Sequence, residues 1–107
     1  MEHSTRHIDF KHIQWHEGHG FKNKRHFMGN FSMRIAEFYP DFVEEFWCKK
    51  GHYGYVIEGE MYVRFEGEVI HYKKGDGIAI PAGEAHRHKA MVDQGKFARL
   101  VLFESID

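Results

Sequence analysis

Glycine-bearing turns recur every seven to nine residues in the second half of the chain, at Glu58-Gly59, Glu66-Gly67, Lys74-Gly75-Asp76 and Ala82-Gly83-Glu84. Each places a glycine where a tight turn needs a positive φ, and the runs between them are short and rich in β-branched or aromatic residues. That spacing is too close for helices and matches a sandwich or barrel of short strands. Within the runs the period is two: Met61, Val63 and Phe65 share one face, while Tyr62 and Arg64 share the other. The pattern predicts strands over residues 31–37, 43–48, 52–57, 61–65, 69–72, 77–80, 85–89 and 97–104, enough to close a small all-β barrel. The first thirty residues are less regular. There Ile8, Phe10, Ile13 and Trp15 are material for an edge strand or for pairing with a second subunit.

A chain of 107 residues is the size of a single domain, 1–107, with one core. Hydrophobic residues make up 42% and charged residues 29%, the balance of a folded protein. Fifteen basic side chains against sixteen acidic ones leave no electrostatic footprint for a nucleic acid or an anionic membrane. No segment has the apolar length of a membrane span, and the first residues lack the apolar core of a signal peptide. Cys48 stands alone, so an intrachain disulfide is excluded and a reducing, cytoplasmic setting is expected.

Ten histidines are the compositional oddity. His3, His7, His12, His16, His19 and His26 are scattered among charged residues of the first quarter and read as solvated positions. The pair His16 and His19 has a ligand-like spacing, but the glycines beside it point to a loop, and it is set aside as a site.

Residues 75–86 read Gly-Asp-Gly-Ile-Ala-Ile-Pro-Ala-Gly-Glu-Ala-His, a turn, a strand, a second turn at Pro81 and Gly83, and then His86. Upstream, His52 precedes the turn glycine Gly59 by seven positions. Together these resemble the two motifs of the cupin family, and the resemblance runs from about Phe31 to Glu104. It implies an all-β double-stranded β-helix, or jelly-roll barrel, with ligand residues facing the interior.

The resemblance carries ligand roles onto this chain with departures. His86 stands at the histidine of the second motif, and His52 stands where the family usually has a glutamate. The two upstream histidines of the family are missing: a four-residue spacer lands on Glu45 and Trp47, a three-residue spacer on Phe46 and Cys48. Alternation puts Glu45 and Trp47 on one face and Glu44, Phe46 and Cys48 on the other, so one site cannot use both sets. The four-residue spacer gives the expected metal ligands His52, His86 and Glu45, a nitrogen and oxygen set suited to Zn, Fe, Mn, Ni or Cu. Cys48 then reads as a small core residue.

On a regular strand His88 shares a face with His86 about 7 Å away, a further pocket group. Trp47 and Tyr55 are expected as pocket walls, His71 as solvent-facing, and Arg34 or Arg99 as a source of charge. The resemblance spans dioxygenases, isomerases, lyases and ligand-binding domains, and the fold does not choose among them. Three functions follow: a metal-dependent pocket acting on or binding a small organic molecule, a metal-free binding module, or a metal-free epimerase using His52 or His86 as base. Small members of this family commonly pair, so a homodimer is expected.

Overall fold

A computed structural model describes residues 6–105; His3 lies outside the described residues. Alternation decides which side chains enter the interior. Along the last strand Ala98, Leu100, Leu102 and Glu104 are buried while Arg99, Val101 and Phe103 face outward, the period of two that a strand imposes. Among the described residues there are eight strands: β1 (His16–Gly18), β2 (Phe21–Met28), β3 (Phe31–Phe38), β4 (His52–Phe65), β5 (Glu68–Lys73), β6 (Gly77–Ile80), β7 (His88–Met91) and β8 (Ala98–Ser105).

All pairings are antiparallel, in the order β1-β2-β3-β8-β4-β5, with β6 and β7 also on β4. The sheet curls into an all-β barrel whose inner face carries Val56, Met61, Val63, Ile78, Ile80, Leu100 and Leu102. No helix among the described residues is long and apolar enough to cross a membrane.

β4 organises the curl. Its first half pairs with β6 and β8, its second half with β5 and β7. Sequence spacing puts a turn at Glu58-Gly59, yet the strand runs through it, with a register shift between Val56 and Glu58. Gly59 has φ of +78°, and a Cβ there would stand 1.9 Å from the Phe97 carbonyl oxygen. Glycine's freedom therefore bends one strand across two sheets instead of ending it.

Two further elements differ from the sequence reading. Residues 43–48 form no strand: Val43 and Phe46 are exposed, and only Cys48 makes a bridge, to His88. Glu44 Oε1 instead accepts the Ala90 N–H at 2.8 Å, so a side chain takes the place of a ladder bond beside β7. Before β7, Glu84–His86 is a 3-10 turn following Gly83, which breaks the alternation that put His86 and His88 on one face. The N-terminal apolar residues fold back on β2: Phe10 opens a 3-10 turn whose carbonyl accepts Lys24 Nζ at 2.8 Å. Trp15 lies 4.5 and 4.8 Å from the ammonium groups of Lys22 and Lys24.

Candidate metal centre and pocket

The inner faces of the strands enclose a cavity of 320 Å3. At one end Phe21, Phe38 and Phe42 pack together with ring centroids 4.9 to 6.4 Å apart. Phe21 pairs with Phe38 and Arg25 with Arg34 across β2 and β3. The four-residue step between these pairs separates the aromatic end from the charged end by about 13 Å. Lys50 and Ser105, both exposed, line the cavity as well; Ser105, opposite Phe31, belongs to the charged end.

Cys48, His52 and His88 converge on this cavity, with their ligand atoms all within 4.8 Å of one another. Local structure explains the convergence. Cys48 and His88 exchange both backbone hydrogen bonds, at 2.8 and 2.9 Å, which ties the segment before β4 to the start of β7. His52 begins β4 and places its Nε2 3.7 Å from Cys48 Sγ. The two imidazoles meet edge to face, with centroids 5.0 Å apart.

Each ring is oriented from behind through Nδ1. His52 Nδ1 donates to Glu104 Oε2, and His88 Nδ1 donates to the His86 carbonyl at 3.0 Å. These bonds turn both Nε2 atoms toward Cys48, the orientation in which a metal-binding histidine coordinates once the metal displaces the Nε2 proton. An ion bonded at about 2.0 to 2.3 Å to three tetrahedral ligands holds them roughly 3.3 to 3.8 Å apart. The Cys48 to His52 distance fits that spacing.

The charges are coupled. Hydrogen bonds from His52 and then His88 bring the Cys48 thiol down to about 5, against the opposing effect of burial. Burial disfavours a charged His52, but the sulfur of Cys48 and the Glu104 carboxylate outweigh it and raise the ring to about 9. Glu104, buried yet bonded to His52 and to both ends of the Arg34 fork at 2.9 and 2.7 Å, is held down at about 2. His88 is also raised, with burial opposing and Cys48 and the His86 carbonyl favouring its charge. Burial pushes the Glu44 carboxyl the other way, up.

Of the residues singled out by spacing, His52 and His88 stand in this cluster. His86 is exposed on its 3-10 turn and reaches the cluster only through its carbonyl. Glu45 is exposed, and its backbone carbonyl accepts Lys89 Nζ at 3.0 Å. Trp47 does not line the cavity; Arg87, Lys89 and Arg64 lie 5.1, 5.3 and 6.0 Å from its ring. Tyr55 is on the outer face of the sheet, opposite Val101. Arg34 faces the cavity, whereas Arg99 pairs with Glu37 outside it. His71 stacks on Tyr62 and pairs with Glu60.

Sequence reasoning missed Glu104 and Arg25 and set Cys48 aside. The one signal for Glu104 is its parity: it follows Leu100 and Leu102 on the inward face of β8, so a carboxylate there must find buried partners.

A family profile described as Cupin domain matches residues 49–103. No curated protein matches the chain. The polyketide cyclase RemF from Streptomyces resistomycificus superposes with a TM-score of 0.77 at 17% identity, over 97% of this chain and 81% of that one. An RmlC-like cupin from Shewanella frigidimarina does so at 0.73 and 20%, over 100% and 96%. KdgF from Halomonas sp. gives 0.70 and 22%, over 92% of each chain. At these identities what is shared is the fold. Since the matched segment takes in more than half of the residues and both cupin-like motifs end within it, this chain belongs to the cupin family.

Proposed function

We propose that this protein holds a divalent transition metal through Cys48, His52 and His88 and binds a small organic molecule beside it in the barrel. The observation that carries this reading is the pair of back-side hydrogen bonds, from His52 Nδ1 to Glu104 and from His88 Nδ1 to the His86 carbonyl, which turn both Nε2 atoms toward one thiol. One thiolate and two imidazoles favour Zn, Fe or Cu over Mn, because sulfur is a soft donor. A metal held there by Cys48, His52 and His88 would supply a Lewis acid beside the cavity. The chain's own groups would do the rest: Glu104 and Arg34 fix the His52 ring, and the apolar walls exclude water around the ligand. A thiol ligand needs reducing surroundings, which supports a cytoplasmic location.

The spacing-based set, His52, His86 and Glu45, shares only His52 with this cluster. Metal analysis of protein purified without exposure to tag metals tests the difference. Cys48→Ala, His52→Ala and His88→Ala should each lose stoichiometric metal, while Glu45→Ala and His86→Ala keep it. Metal retained in Cys48→Ala and lost in Glu45→Ala would restore the spacing-based set. A protein that takes up none of Fe, Mn, Ni, Cu or Zn sinks the metal reading. What then stands is a metal-free binding module in which Cys48 and His52 form a thiolate–imidazolium pair, a reading favoured by their 3.7 Å contact.

A further inference from the structure

Charge at the Arg25 and Arg34 end of the cavity is unbalanced. Glu104 accepts Arg34 Nε and lies 3.3 Å from Arg25 Nη1 through one oxygen, and accepts Arg34 Nη2 and His52 Nδ1 through the other. Its four acceptor positions are filled, so two guanidinium groups share one saturated carboxylate. Arg25 uses only Nη1, toward Ser32 Oγ at 3.2 Å and toward Glu104. Its other donors make no hydrogen bond or ion pair among the described residues; the guanidinium lies 5.9 Å from the Phe27 ring, and the side chain is one-third exposed (33%) at the cavity wall. Lys50 lines the same cavity and makes no ion pair among the described residues. The other carboxyl on this wall, Glu44, is turned to the Ala90 N–H, which it accepts at 2.8 Å, and makes no ion pair among the described residues. Burial and the neighbouring Arg34 together disfavour the charge on Arg25, so a second anion beside it would be stabilising.

Met61, Val63, Ile78, Ile80, Leu100 and Leu102 give the cavity apolar walls, and the end opposite Arg25 is the triad Phe21, Phe38 and Phe42. We infer that the cavity takes an apolar monocarboxylic acid, its carboxylate on the open fork of Arg25 and its hydrocarbon body directed toward Phe21, Phe38 and Phe42. The inference rests on reading the cavity as a small-molecule pocket, but not on the metal. A planar guanidinium fork matches a carboxylate with two parallel hydrogen bonds. A cavity of 320 Å3 suits a body of one ring or a short chain.

Phenylacetate, phenylacetamide and acetate are suitable probes, titrated by calorimetry into the metal-loaded protein and into protein stripped with a chelator. Phenylacetate should bind at least ten-fold tighter than either of the others in both forms. Arg25→Gln should abolish the preference for acid over amide and leave the metal content unchanged, and Arg25→Lys should retain part of it. Equal binding of acid and amide by the wild-type protein overturns the inference, as does a preference that survives Arg25→Gln or disappears with the metal. The wild-type comparison stands even if a variant fails to fold. Absence of metal with the acid preference intact would remove the metal reading and leave this one standing.

Discussion

Glu104 is where the electrostatics of the site converge, because a buried carboxylate persists only if its partners replace water. His52 and Arg34 hold it ionised down to about 2 against an ordinary value of 4.5. A lowered acid contributes stability that is complete above its unfolded pKa, so this contribution is present above pH 4.5 and is lost as the pH falls toward 2. The shift corresponds to roughly 3 kcal/mol in the metal-free protein. His52 has the opposite sign: raised from 6.5 to about 9, its share is complete below pH 6.5 and is lost as the pH rises through 9. In Glu104→Gln the wild-type loss of stability between pH 4.5 and 2 should therefore flatten, as read by urea unfolding across that range. An unchanged acid limb would show that Glu104 is not paired as described. The same substitution replaces the charged acceptor behind His52 with a neutral amide that can also turn its NH2 toward the ring, so the His52 tautomer is held less firmly and metal affinity should fall by about 10 to 100-fold.

At the scale of elements, glycines separate into those that end strands and those that bend them. Gly59 and Gly67 both have positive φ, at +78° and +94°, but a Cβ on Gly67 meets nothing within 4 Å, whereas one on Gly59 strikes the Phe97 backbone. Gly67→Ala should cost about 1 to 2 kcal/mol from backbone conformation alone. Gly59→Ala should cost about 3 kcal/mol or more, since β4 and β8 must also separate. Thermal unfolding of the two variants reads the contrast, and equal melting temperatures would contradict a bend held at Gly59. The same distinction explains what was legible beforehand. Alternation and turn glycines are local, so β3, β6 and β8 fall within one residue of their expected ranges. A glycine has the same sequence signature in a turn as in a bend, so β4 read as two strands. The apolar and aromatic run over 43–48 reads locally as a strand, but its conformation is decided by Glu44 bonding to Ala90 and Cys48 bridging to His88, contacts made 40 or more residues away. His52 was visible because its place relative to Gly59 is local; Glu104, 52 residues from His52, was not.

For the whole molecule, the outward face of the barrel raises the question of what covers it. An antiparallel sheet with one face in water should alternate apolar with polar residues. Here, beyond the Glu37–Arg99 pair, the outward positions include Met33 and Ile35 on β3, Val101 and Phe103 on β8, and Tyr53, Tyr55 and Ile57 on β4. They adjoin through the pairs Met33 with Phe103, Ile35 with Val101, Tyr53 with Phe103 and Tyr55 with Val101. Tyr53 and Tyr55 are 48% and 49% exposed, so the patch is contiguous and open, as an interaction surface is. A second copy of the same face is the occupant we propose, because one two-fold contact buries the patch on both chains at once. Of the N-terminal residues, Trp15 packs over the Lys22 and Lys24 ammonium groups and the Phe10 carbonyl accepts Lys24 Nζ, all on their own β2, so the proposed pairing is assigned to the face of β3, β8 and β4. Light scattering should give the mass of a homodimer, and the double substitution Tyr53→Glu and Tyr55→Glu should give a monomer, since it sets four carboxylates against one another across the two-fold axis. Both tyrosines point away from the cavity, so the monomer should keep its metal content and its binding of phenylacetate. A wild-type monomer, or a dimer that survives both glutamates, would rule out this face as the interface.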